Sequence, residues 1–250
     1  LIAGGQVGPP VDTHAHLAAL PDPLAAITRA RRTGLAAVVG VGEDLASNRK
    51  IWELSQAEPD LVWPALGAHP WALEPEGWRE NLEFVSRHLK AAAALGEVGL
   101  DYRVKVKKEL QRQVLAEALD LARRWDKPVL LHSRFSQGRC LEMLERAGIR
   151  RAVFHWYSGP LDVLEKILAA GYFISSTPAL AYSPPHRAAI ARAPVERILV
   201  ETDAPVKYQG QESEPADVLW TIRLVAEVKG LSYKEAEETT TRNARLFFGR

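Results

Sequence analysis

Cysteine is almost absent from the 250-residue chain: Cys140 stands alone, so no intrachain disulfide can form and a reducing compartment is its natural setting. It falls in a helical pattern beside Leu141 and Met143, a packing position rather than a nucleophile's. Nowhere are there the ~18 consecutive apolar residues of a membrane span, and residues 1–10 lack the basic and apolar regions of a leader. A cytoplasmic protein with no membrane partner and no obligatory protein partner is expected. Net charge is only +1, so no whole-molecule field attracts a polyanion, and any nucleic acid would have to be held by local contacts. Neither GxGxxG nor a Walker A loop follows a strand, and no GxSxG elbow presents a serine. These absences count against dinucleotide, P-loop and serine-hydrolase chemistry.

The 47% hydrophobic content is enough for one sizeable core, and no linker or composition shift divides residues 1–250, which predicts a single domain. Asp22-Pro23 opens a helix that Gly34 can end, and residues 35–41 form a continuous apolar run typical of a strand buried on both faces. The alternation continues with a helix over 44–58, a strand over 61–67, a helix over 78–95 and a strand preceding Glu97. An amphipathic helix carrying Leu110, Val114, Ala118, Leu121 and Trp125 follows. Strands over 128–131, 151–154, 171–175 and 197–202 come next, with helices over 137–147, from Pro160, over 216–229 and from the Ser232/Glu235 capping box. With a first strand in the stretch Val11–Leu17, these make eight, which at this length predict an α/β fold, a closed (β/α)8 TIM barrel with a metal site at the carboxyl ends of its strands. An open doubly wound sheet is the alternative.

In Val11-Asp12-Thr13-His14-Ala15-His16 the two imidazoles are one residue apart, so on a strand they share a face with Asp12, which could orient one of them. Other strand ends carry His69, Glu97, His132, His155 and Asp203, whereas His88 and His186 fall elsewhere and read as solvated surface residues. Singly, such a histidine is usually a loop residue, and an Asp before Ala204-Pro205 usually caps a helix. Gathered on one rim, however, these ionisable groups would be costly without a cation. His14, His16, His132, His155, Glu97 and Asp203 exceed the needs of one ion. Two divalent ions are therefore expected, with Glu97 as the anionic bridge between them. A bridging water would ionise near neutral pH and act as nucleophile, Asp203 accepting its proton. Glu201, two residues deeper on the same face, could hold a ligand ring in orientation.

These segments, with Gly67-Ala68-His69-Pro70, Gly96-Glu97-Val98-Gly99-Leu100-Asp101-Tyr102, Leu131-His132-Ser133-Arg134, His155-Trp156-Tyr157-Ser158-Gly159 and Glu201-Thr202-Asp203-Ala204-Pro205, resemble the TatD family of metal-dependent deoxyribonucleases in content and order. The resemblance runs from His14 to Asn243-Ala244-Arg245-Leu246-Phe247. It implies a TIM-barrel hydrolase, often a 3′-to-5′ exonuclease, working with Mg2+ or Mn2+, Zn2+ being an alternative. By resemblance, His14, His16 and Asp203 would hold one ion and His132 and His155 the other, with Glu97 shared and His69 and Arg134 on the substrate phosphate. Tyr157 and Ser213 depart from the family's usual Phe and Asn, both toward the substrate end.

Trp71, Tyr102, Trp156, Tyr157 and Tyr208 lie near these motifs and could stack unpaired bases, so DNA with single-stranded or frayed ends is the expected substrate. Two rivals stay open. One is an amidohydrolase acting on a C–N bond, many of which use a carbamylated lysine where this chain has Glu97. The other is a barrel retained only as a scaffold.

Overall fold

The computed structural model describes residues 8–250. The reading of residues 1–7 as free of a leader lies outside the described residues. Eight parallel strands form one sheet in sequential order: β1 (Val11–Ala15), β2 (Ala37–Val41), β3 (Val62–Ala68), β4 (Ala94–Asp101), β5 (Val129–Arg134), β6 (Ala152–Phe154), β7 (Phe173–Ser176) and β8 (Ile198–Val200). The seam between first and last closes through a bridge from Ala15 to Ala204 and hydrogen bonds from His16 N to Ala204 O (2.8 Å) and from Asp203 N to His14 O (3.0 Å). A closed barrel, not the open sheet, is thus the outcome.

The helices start where local chemistry satisfies their first N–H groups. The Asp22 carboxylate accepts from Ala25 N ahead of α1 (Pro23–Arg32), Asp44 and Ser47 form a reciprocal box on α2 (Leu45–Ala57), and Ser232 with Glu235 does so on the last helix. The remaining helices are α3 (Trp78–His88), α4 (Lys108–Trp125), α5 (Gln137–Arg146), α6 (Leu161–Ala169), α7 (Pro184–Arg192), α8 (Val218–Lys229) and α9 (Tyr233–Phe248).

The structure departs from the sequence reading at three places. The third helix ends at His88 rather than near residue 95, because Ala94 and Leu95 pair with β3 and Leu95 also with β5; sheet pairing overrides the helix propensity of the alanine run. A helix not foreseen between the last two strands, α7, carries His186. A short hairpin, β9 (Lys207–Tyr208) with β10 (Gln211–Glu212), follows Asp203 instead of a capped helix.

The larger core packs the helices on the sheet. A smaller one, with Val11, Val39, Trp63, Leu130, Phe173 and Leu199, joins Phe247 and Phe248 of α9. Those two phenylalanines meet Trp63 and Phe173, the strands' early residues, so they plug the amino end of the barrel and leave the carboxyl end for the site. Register irregularities gather at that end: between Asp12 and Ala15, between Leu66 and Ala68, and between Leu95 and Val98. Such irregularities re-aim side chains. Gly99 permits the close approach of β4 to β5 beside Glu97, since a β-carbon there would overlap the carbonyl oxygen of His132.

Candidate active site

Glu97, 1% exposed, is the hub. Its Oε1 lies 2.9 Å from His132 Nδ1, 3.3 Å from His69 Nε2 and 3.4 Å from His155 Nε2, while Oε2 lies 3.3 Å from His14 Nε2 and 3.5 Å from His16 Nε2. Asp203 Oδ1 stands 3.2 Å from His16 Nε2 and 3.6 Å from His14 Nε2. The backbone of Asp203 is left-handed (φ 52°), which Asp tolerates better than most residues, and its N–H and C=O are both bonded. Among the described residues, no lysine or arginine forms an ion pair with Glu97, Glu201 or Asp203.

Four of the five rings that aim one nitrogen inward turn the other toward a carboxylate. His155 Nδ1 is 3.0 Å from Glu201, His132 Nε2 is 3.2 Å from Asp101, His14 Nδ1 is 3.9 Å from Glu201, and His16 Nδ1 is 3.8 Å from Glu43. A carboxylate behind an imidazole fixes its tautomer and sharpens its basicity, the usual support of a metal ligand.

The charges show what the site lacks. Burial opposes ionisation of Glu97, yet His69, His155 and His14 hold it well below the usual carboxylate range. Burial likewise opposes protonation of the rings, but Asp203, Glu43 and Glu97 push His16 up to about 9, and Glu97 with Glu201 push His155 up to about 10. The anions thus recruit protons for want of other positive charge. His14 Nδ1, His16 Nδ1 and Asp203 Oδ1 are buried without a well-formed hydrogen bond. Orphaned donors and acceptors around a purely N/O set fit divalent cations.

His14, His16 and Asp203 offer ligand atoms within 4.8 Å of one another; so do His69, Glu97 and His132, and so do His14, His155 and Glu201. The first trio is the one expected. His69 differs from the other rings: Trp71 N donates to its Nδ1 (3.3 Å), so its proton is on Nε2, which suits a donor rather than a ligand. Burial lowers its pKa to about 4 against the pull of Glu97, keeping it neutral.

Arg134 is exposed and lines a cavity of about 1040 Å3 above the cluster, together with His69, Trp71, Phe135, Trp156 and Tyr157. Trp71 and Trp156 present accessible faces, but Tyr157 (1% exposed) donates to Pro160 O and Tyr208 (5%) to Thr202 O. These tyrosines are packing residues, and Tyr102 is covered by Lys108 and lies outside the cavity lining. Their hydroxyls find backbone acceptors, which draws the rings inward.

Other sequence expectations are corrected. Asp12 does not orient a ring: it accepts from Thr202 N (3.0 Å), Thr202 Oγ1 (2.6 Å) and His14 N (3.3 Å), tying β1 to the far side of the seam. The pairing of β1 with β2 shifts register between Asp12 and Ala15. His186 is fully buried, donating Nδ1–H to Tyr157 O and accepting from Thr177 N, and His88 is half-buried against Phe84 and Trp52. Glu43, Asp101 and Phe135 were missed. Asp101 lies four residues after Glu97 on the same strand, and so on the same face, and Glu43 lies two residues beyond β2, signals that were available; Phe135, 64% exposed, carried none.

The model of the TatD related DNase family matches residues 11–249. The deoxyribonuclease TATDN3 of Homo sapiens is 32% identical, with 95% of this chain and 94% of that protein covered. The 3′-5′ ssDNA/RNA exonuclease TatD of Edwardsiella piscicida is 32% identical over 89% of this chain and 91% of its own. Among solved structures, the TatD homologue YJJV of Escherichia coli superposes with a TM-score of 0.89 at 28% identity, covering 96% of this chain and 98% of that one.

Proposed function

Because the chain belongs to the TatD related DNase family, we propose that residues 1–250 form a single hydrolase domain that uses two divalent ions to cleave DNA from an end. The observation that carries this reading is the set of four imidazoles, each with one nitrogen toward Glu97 or Asp203 and the other toward an outer carboxylate. His14, His16 and Asp203 would hold one ion and His132 and His155 the other, with Glu97 between; Mg2+ or Mn2+ is what the family resemblance implies, and the four imidazoles make Zn2+ the alternative. Bound there, the ions would polarise the phosphoryl group and lower the pKa of the attacking water.

The chain's own groups do the rest. Asp203 takes the proton of the attacking water as oxygen bonds to phosphorus and the P–O3′ bond breaks, which leaves the phosphate on the 5′ side of the released nucleotide. Glu97 supplies negative charge at the hub, and Glu201 holds His155. Arg134 and the Nε2–H of His69 bind phosphoryl oxygens, the arginine by charge and the neutral ring by direction alone. Trp71, Trp156 and Phe135 provide stacking faces for unpaired bases. The single cysteine, buried with its thiol pushed up to about 12, is inert and accords with a cytoplasmic setting. Among the described residues, no helix is long and apolar enough to cross a membrane.

The test is metal analysis of the isolated protein followed by turnover of single-stranded DNA and of a panel of amides. Metal-dependent release of nucleotides supports the proposal. Amide turnover without phosphodiester cleavage transfers the site to C–N chemistry.

A further inference from the structure

We propose that Glu43 is a positioning residue: one oxygen of its carboxylate orients His16 through that ring's outer nitrogen, and the other holds the Trp71 indole as a wall of the cavity. The proposal rests on the metal-centre reading above and adds a residue that the sequence did not single out.

His16 aims Nε2 at Glu97 and Asp203, the place of a ligand atom. A ring that ligates through Nε2 carries its proton on Nδ1, and that proton needs an acceptor. His16 Nδ1 is buried with no hydrogen-bond partner, and Glu43 Oε2, 3.8 Å away, is the carboxylate oxygen it faces. The terminal torsion of a glutamate is soft, so a small rotation toward the ring costs little. The other three ligand rings are backed by Glu201 or Asp101. Glu43 completes the set.

The carboxylate is held at its other end. Trp71 Nε1 donates to Glu43 Oε1 at 2.9 Å, and the indole, 53% exposed, lies 4.2 Å from the His69 ring and 6.1 Å from His132. The root of the side chain is equally fixed, since Glu43 N donates to Ser47 Oγ (2.9 Å) and Glu43 O accepts from His69 N (2.8 Å). The side chain is 22% exposed, and the ion pairs among the described residues give it no lysine or arginine. One oxygen accepts from the indole of the cavity wall, and the other faces the outer nitrogen of a ligand ring. Trp71 therefore steadies the carboxylate that steadies His16.

The experiment is calorimetric titration of the chelator-stripped full chain with Mn2+ alone, comparing wild type, Glu43→Gln, Trp71→Phe and the double variant, with the melting temperature of each metal-free protein as control. Loss of an outer carboxylate typically costs ten- to a hundredfold in metal affinity. Glu43→Gln is expected to weaken one Mn2+ site by that factor and spare the other. Trp71→Phe, which keeps the ring but removes the N–H, should weaken the same site by about threefold and add nothing in the Gln background, since coupled residues are non-additive. Unaltered Mn2+ binding by Glu43→Gln at both sites overturns the assignment and leaves Glu43 as an acceptor for Trp71 only. Equal weakening of both sites with a lowered metal-free melting temperature also overturns it, by showing a general structural role. Absence of Mn2+ binding by the wild type overturns the metal-centre reading, and this assignment with it.

Discussion

Glu97→Gln isolates charge from shape. The amide has the carboxylate's volume, so no cavity opens, but the negative charge that faces five imidazole nitrogens between 2.9 and 3.5 Å is gone. Two unit charges ~4 Å apart interact by about 4 kcal/mol at an effective dielectric of ~20, and a divalent ion doubles the charge on one side. Allowing for relaxation, a loss of about 2 to 4 kcal/mol in binding each ion corresponds to roughly 30- to 1000-fold in affinity. If catalysis uses both ions, as proposed, turnover should fall by at least the larger factor. The fold should survive. In the metal-free protein Glu97 is held below its usual range, so its ionised form adds stability above the unfolded carboxylate's pKa and loses it as pH falls through the folded value. Gln forgoes that gain but also removes a buried charge, and each ~1 kcal/mol of net loss lowers Tm by about 2–4 °C for a chain of this size. The assay pairs nuclease rates at saturating Mn2+ with calorimetric metal titration and a melting curve. A variant that binds two ions and keeps a near-normal kcat/KM refutes the role of Glu97 as the bridge.

Titration of the chelated protein is expected to find two divalent sites; a single site persisting at saturating metal would exclude the binuclear mechanism. Single-stranded or frayed ends should be cut faster than blunt duplex, and Arg134→Ala and Phe135→Ala should each raise KM about tenfold, in line with ~1–3 kcal/mol per phosphate or stacking contact. Equal KM values in both variants would remove these residues from the substrate path. DNA affinity should fall with salt at a slope of roughly −0.7 per phosphate contacted on a single strand, and a shallow total slope is expected of a site with few phosphates. His186 concerns stability rather than chemistry. Burial lowers its pKa, so its neutral form contributes fully above the unfolded value near 6.5, and that contribution is lost as pH falls further. Urea denaturation between pH 7 and 5 should show a smaller loss for His186→Gln than for wild type; identical slopes would count against the buried neutral imidazole.

Much of the molecule was legible as pattern. Continuous apolar strands alternating with capped amphipathic helices have one economical solution at this length, and the eight-stranded barrel follows from it. The carboxyl-end rule then selects His14, His16, His69, Glu97, His132, His155 and Asp203 without knowledge of contacts, because the sequence places each toward the carboxyl end of a predicted strand and all those strands must point the same way. Residues whose meaning depends on a partner far along the chain were not legible. Asp12 and Asp203 lie on the two sides of the closing seam, yet the Asp12 carboxylate is taken up by Thr202 across that seam while Asp203 turns inward.

The sequence by itself determined the order of elements and which end of the barrel carries the chemistry, since both follow from local periodicity and from capping. Tertiary structure alone decided which nitrogen of each ring faces inward, that Glu43 and Asp101 stand behind two of those rings, that His186 is core and that Tyr157 and Tyr208 bury their faces. The physical reason is range. Periodicity is encoded in neighbours three or four residues apart, whereas a ring's orientation is set by a hydrogen bond to a carboxylate on another strand, brought within a few ångströms only when the barrel closes.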